Sequence, residues 1–238
     1  MPDTTSPQGT ALEHLRIIRT LMERAHIYRA VSAPAALIGG VLALVVALVG
    51  VKHNVFPRDG ETVSQAFRSR EFLFAWLGVL VASGVANLLL LMRESGSKGQ
   101  PAITDGLRMA LRAIVPPLLT GGVLGVCLIW FEDNVELAAL VWILCYGLAL
   151  QATVSFAPRG IIMLARAFLI AGQVLTVAWF WSGGLGMFQR DEAPASMFMG
   201  ATFGLFHIVY GIAVFASKGS ERQSSRVSEQ QTNRATEP

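Results

Sequence analysis

Seven polar side chains interrupt long apolar stretches of this chain: Asn87, Thr120, Gln151, Arg166, Gln173, His207 and Tyr210. Hydrogen-bonding and ionisable groups in such surroundings are costly. Insertion scales put an arginine at the centre of a bilayer at about 2.5–3.5 kcal/mol. Their chemistry is limited to hydrogen bonding and, at His207 and Arg166, charge. Arg166 and Gln173 are seven residues apart and share a helix face, as do His207 and Tyr210, three apart. If those faces converge, the seven residues form a polar, ligand-binding pocket open to the cytosol. If they do not, the same groups serve as hydrogen bonds between helices, worth about 0.6 kcal/mol on average. Arg166, about one turn inside its stretch, either snorkels to the headgroups or pairs with a ligand or ion.

No catalytic set accompanies them. A haem held by two histidines needs a second deep imidazole, yet His14, His26 and His53 fall outside the apolar stretches or at their edges. No histidine, cysteine or carboxylate cluster has metal-ligand spacing. No carboxylate sits mid-stretch to couple transport to protons or sodium, although amide and backbone sites remain open to a transporter. Intramembrane serine proteolysis of the rhomboid type fails at the nucleophile. His207 and Gly211 keep a His-x-x-x-Gly spacing, but the fourth stretch carries Leu144-Cys145-Tyr146-Gly147 where Gly-x-Ser-Gly is required. No catalytic residue, metal or cofactor is therefore assigned.

The elements that must position these residues are six apolar stretches, roughly Tyr28–Val51, Phe72–Met92, Ala113–Phe131, Val135–Phe156, Ile161–Trp181 and Met197–Ala216. Each is about as long as a helix that crosses a 30 Å hydrocarbon layer. Of the 238 residues, 53% are hydrophobic and only 15% charged, against about 25% charged in soluble domains. The stretches do not alternate as barrel strands would, and backbone groups in lipid must be paired internally. The expected fold is all-α: a polytopic bundle of six transmembrane helices over residues 28–216. It is preceded by a cytosolic segment, 1–27, with an amphipathic helix and followed by a disordered cytosolic tail, 217–238. In the amphipathic segment Ala11, Leu15, Ile18, Met22 and Ala25 form one stripe. It either lies on the cytosolic leaflet or extends the first span. The first apolar run starts too late and is too long for a cleavable signal, which predicts an uncleaved anchor.

Charge orients the bundle. With the N-terminus inside, thirteen Lys and Arg residues fall in cytosolic segments, against five outside (Lys52, Arg58, Arg68, Arg70 and Arg190), Arg166 aside. The positive-inside rule then places both termini in the cytosol. The net charge of +3 has this explanation, so no nucleic-acid partner is invoked. Trp76, Trp130, Trp179 and Trp181 fall near the outer span ends and predict a one-sided aromatic belt. Cys127 and Cys145 sit about 9 Å apart in depth across the third and fourth spans, too far for a disulfide. Pro116-Pro117 predicts a kink, or the end of a helix preceding span three. Gly121/Gly125 and Gly200/Gly204 have the spacing of close helix contacts, within the chain or in a homo-oligomer.

Three strings, Ile17-Ile18-Arg19-Thr20-Leu21-Met22-Glu23-Arg24-Ala25, Pro116-Pro117-Leu118-Leu119 and Phe203-Gly204-Leu205-Phe206-His207-Ile208-Val209-Tyr210-Gly211, resemble a family of bacterial six-span integral membrane proteins with no known activity. The chain departs from that pattern at Ser32-Ala33-Pro34, where a Pro-Gly turn is expected. The resemblance implies a topology and a bacterial inner membrane, but no site. The function expected from all of this is non-enzymatic: a sensor, accessory or scaffold protein acting through a protein partner at the cytosolic face, a small ligand, or the membrane lipids. The alternative is a small-solute or lipid transporter using the polar pocket.

Overall fold

The computed structural model describes residues 33–55, 65–97, 105–182 and 193–217. The amphipathic N-terminal segment, the start of the first apolar stretch and the tail beyond Ser217 lie outside the described residues. Within them the chain is all-helical, with no strand. The helices are α1 (Ala33–Val55), α2 (Gln65–Ser97), α3 (Asp105–Glu132), α4 (Val135–Gln151), α5 (Arg159–Trp181) and α6, which opens at Ala193–Met199. α6 continues without a break through a π-helical segment, Gly200–Phe206, and a further α-helical stretch, 207–217. Five of the six are long and apolar enough to cross a membrane; α4, at 17 residues, is the shorter one. A multi-pass membrane protein is what these helices are built for.

The short helix is the central one. α4 packs against α3, α5 and α6, and Ala138, Ala139, Leu140, Ile143 and Ala149 are essentially inaccessible. A helix apolar all round is one surrounded by others. α2, by contrast, touches chiefly α1 and exposes Phe74, Leu80, Val81, Val85, Leu88 and Leu89. Exposed leucine and valine in such density mark a surface that faces lipid rather than water.

Local chemistry sets the turns. α3 ends at Glu132, and Asp133 takes a left-handed φ of 48°. The Asn134 N–H then closes on the Leu128 carbonyl at 3.1 Å. The Asn134 side chain caps α4 by accepting from the Leu137 N–H at 2.9 Å. Two residues thus reverse the chain, and α3 and α4 form a tight antiparallel hairpin. Gly121 and Gly125 sit in its seam. A Cβ at Gly121 would lie 2.5 Å from the Cys145 Cβ, and one at Gly125 would overlap the Trp142 indole. Both cysteines are free thiols. The Pro116-Pro117 pair does not end a helix: α3 runs through it.

The fourth apolar stretch is helical for less of its length than expected. α4 stops at Gln151 rather than Phe156, because the Thr153 hydroxyl and N–H both turn back onto the Leu150 carbonyl, at 2.7 and 3.1 Å. Turns over 152–156 then lead to Pro158, the N-cap of α5, whose fixed φ suits a helix entry. At 1.5 Å per residue α4 is about 25 Å long.

α1 lies along α6. A Cβ at Gly40 would come within 2.9 Å of the Gly204 carbonyl, one at Gly200 within 2.6 Å of the Ala47 Cβ, and one at Gly50 within 2.5 Å of the Ser196 hydroxyl. Small residues on both helices let the backbones approach this closely. The π-helical segment lies in this contact, and Thr202, fully buried, donates its hydroxyl to the Phe198 carbonyl at 2.8 Å. Both glycine pairs read as helix-contact motifs therefore make their contacts inside the chain, one with α4 and one with α1.

Candidate functional site

The polar centre of the bundle is a pair, Tyr146 on α4 and His207 on α6. The Tyr146 hydroxyl lies 2.7 Å from His207 Nε2. With the hydroxyl donating, Nε2 accepts and the imidazole proton sits on Nδ1. Nδ1 is buried and faces the Phe203 carbonyl one turn back without well-formed hydrogen-bond geometry. His207 is held there because it is the residue at which the π-helical segment ends. A π turn rotates the residues after it relative to a continuous α-helix, and such turns recur at functional positions.

Aromatic rings close around the pair. Phe168, wholly buried on α5, lies 4.7 Å from the Tyr146 ring and meets His207 edge-on at 5.6 Å. Phe203 contacts Tyr146 at 4.9 Å and stacks parallel to His207 at 6.2 Å. Phe206 meets Phe168 edge-on at 5.5 Å. The cluster continues outward: Trp76 lies 6.4 Å from Phe203 and 6.1 Å from Phe72, and Phe72 stacks on Trp142. One aromatic column thus ties α2, α4, α5 and α6 together, each pair adding about 0.5–1.5 kcal/mol beyond area burial. Trp76 and Trp179, expected in an outer belt, point into the bundle instead. Trp130 and Trp181 are exposed, and the Arg70 guanidinium sits 4.6 Å over the Trp130 ring. That cation–π contact uses one of the basic residues that run against the charge rule.

Of the seven polar residues expected to line a pocket, His207 and Tyr210 are the two turned inward on α6, with Tyr210 buried against Gly160. Asn87 and Gln151 are half-buried, and their side-chain oxygens are buried without a partner. Ser83, one turn before Asn87 and facing Gly39, has a buried unpaired hydroxyl as well. Thr120, Arg166 and Gln173 are exposed. The Thr120 hydroxyl donates to the Pro116 carbonyl at 2.9 Å, within its own helix. The residue absent from that set is Tyr146. A tyrosine in an apolar run reads as bulk, and the one signal pointing to it is the need of a buried phenol for a partner, set beside the deep imidazole of His207.

Among the described residues no group of three histidine, cysteine or carboxylate side chains can hold a metal ion. The Tyr146–His207 pair joins α4 to α6. Compared with protein-family models, with curated proteins and with solved structures, the chain has no match in any of the three.

Proposed function

We propose that this is a non-enzymatic multi-pass membrane protein that acts as an accessory or scaffold subunit through a protein partner. α4 acts as the sixth span, and both termini face the cytosol of a bacterial inner membrane. The observation that carries the proposal is the placement of the polar side chains. Thr120, Arg166 and Gln173 lie on the outer surface of the helices, while Tyr146 and His207 are spent on each other inside an aromatic cluster. Polar groups on the lipid-facing side of a span are expensive and commonly hold helices to one another. At 17 residues α4 falls at the short end of the spanning range, which central, protein-covered placement suits. The excess of inside basic residues supports the orientation.

A photo-cross-linking residue placed at Thr120 or Arg166 in native membranes tests the partner. Adducts of defined protein mass are expected; lipid adducts alone would remove the proposal.

A second function has its own support. Ser83 Oγ, Asn87 Oδ1, Gln151 Oε1 and His207 Nδ1 are all buried and unpaired, and buried polar atoms usually have partners. A small hydrogen-bonding solute passing between the helices would supply them. Uptake into vesicles that is unchanged by His207→Ala and Gln151→Ala would exclude this route.

A further inference from the structure

α5 carries an unusual outward face. Met163, Arg166, Ile170, Gln173, Val177 and Phe180 succeed one another at alternating three- and four-residue spacing, and all six are exposed. That is the a/d pattern of a helix seam, and it looks away from the face that packs on α4. Five of its members have ready explanations. Four are apolar and suit lipid. Arg166 lies about 10 Å from the start of α5, within reach of headgroups for a snorkelling side chain. Gln173 has no such explanation. It sits about 5 Å from the middle of the span Arg159–Trp181, beyond the reach of either interface. Among the described residues its amide has no hydrogen-bond partner. Beside it runs a shallow apolar groove of about 680 Å³, lined among the described residues by Gln173, Val174, Val177, Ala178, Trp181 and Ser182.

We infer that this face of α5 is the interface to a second copy of the same chain, with the two Gln173 amides paired across a two-fold axis along the membrane normal. The inference rests on the partner proposal above and names that partner. Two copies inserted in the same direction place Gln173 at the same depth without any adjustment. A primary amide carries both donors and an acceptor, so each carbonyl oxygen can accept from the opposite NH2 and one residue type completes the pair. A different protein would need its own polar side chain at that depth. A lone polar residue at a core position of an otherwise apolar seam fixes register and partner number, and a self-complementary patch is what a two-fold interface requires. Like charge at Arg166 sets the extent of the contact. Below Ile170 the two helices are held apart with their guanidinium groups at the headgroups, so the seam runs from Ile170 outward to Phe180.

The test uses the full chain in native membranes. On a Cys127→Ala/Cys145→Ala background, single cysteines are placed on the seam (Ile170→Cys, Val177→Cys) and on other exposed faces (Leu119→Cys, Val81→Cys), and the membranes are oxidised. Seam positions should form disulfide-linked dimers at least tenfold more readily than the others. Adding Gln173→Leu to Val177→Cys should cut the dimer about tenfold, whereas Gln173→Asn, which keeps an amide, should retain most of it. Gln173→Leu is a surface change, and an unaltered Tm confirms that loss of dimer is not loss of fold. Equal cross-linking at all four positions overturns the inference. So does an adduct from a photo-cross-linking residue at position 177 to the chain's own N-terminal segment, or to a different protein. An adduct to a different protein leaves the partner proposal standing, whereas no adduct from Thr120, Arg166 or the seam removes both.

Discussion

At the scale of single residues, one hydrogen bond between a phenol and an imidazole joins α4 to α6 inside the bundle. Tyr146→Phe removes the donor and leaves His207 Nε2 buried and unpaired, at a cost of about 1 kcal/mol. For a chain of this size that lowers Tm by about 2–4 °C in detergent or nanodiscs. His207→Leu should cost a similar amount, and the double variant clearly less than the sum, because the second change no longer breaks anything. Strict additivity would mean the pair contributes nothing. Half of this site is legible in the sequence. His207 stands out because a deep imidazole is rare, but Tyr146 does not, because a tyrosine in an apolar run reads as bulk. Which of the polar groups face inward is not legible at all. Thr120 and Gln173 lie well inside their apolar stretches, as His207 does, and Arg166 about one turn in, yet all three are on outer faces that only helix packing defines.

At the scale of elements, close helix contacts carry the fold, and each glycine can be asked whether it has a neighbour. Gly40→Ala pushes a methyl group against the Gly204 carbonyl, which cannot rotate away, and Gly125→Ala pushes one into the Trp142 ring. Each should destabilise by about 1–3 kcal/mol in chemical or thermal denaturation. Gly122→Ala and Gly84→Ala, with nothing within 4 Å of the added carbon, should stay within about 0.5 kcal/mol of the parent. If all four behave alike, the seams are wrongly placed. Asn134→Ala, which strips the cap from α4, should cost about 1 kcal/mol. The helices are legible from hydropathy to within a few residues at most ends. The differences arise where side chains compete with the ladder. Thr153 captures the Leu150 carbonyl and ends α4 early, and Pro116-Pro117 is absorbed by a helix long enough to continue past it. The π-helical segment before His207 leaves no mark in the periodicity, since one extra residue per turn is smaller than the spread of an apolar run.

At the scale of the whole molecule, the proposal joins a short helix packed between others, exposed apolar side chains and outward polar groups, with the charge pattern of the sequence giving the proposed orientation. Reporter fusions after residue 217 and in the loops near residues 58, 133 and 186 should read cytosolic at the first and external at the other three. A reporter near residue 157 that reads external, on the same side as 133, would mean that α4 does not cross. Most direct for the central claim, that this protein works through association, is the mass of the particle released in native lipid from membranes holding the protein at its natural level. The account predicts a discrete assembly of at least two chains that persists on dilution and loses mass in Gln173→Leu. A particle holding one copy of the chain and lipid alone, at every dilution, would contradict it.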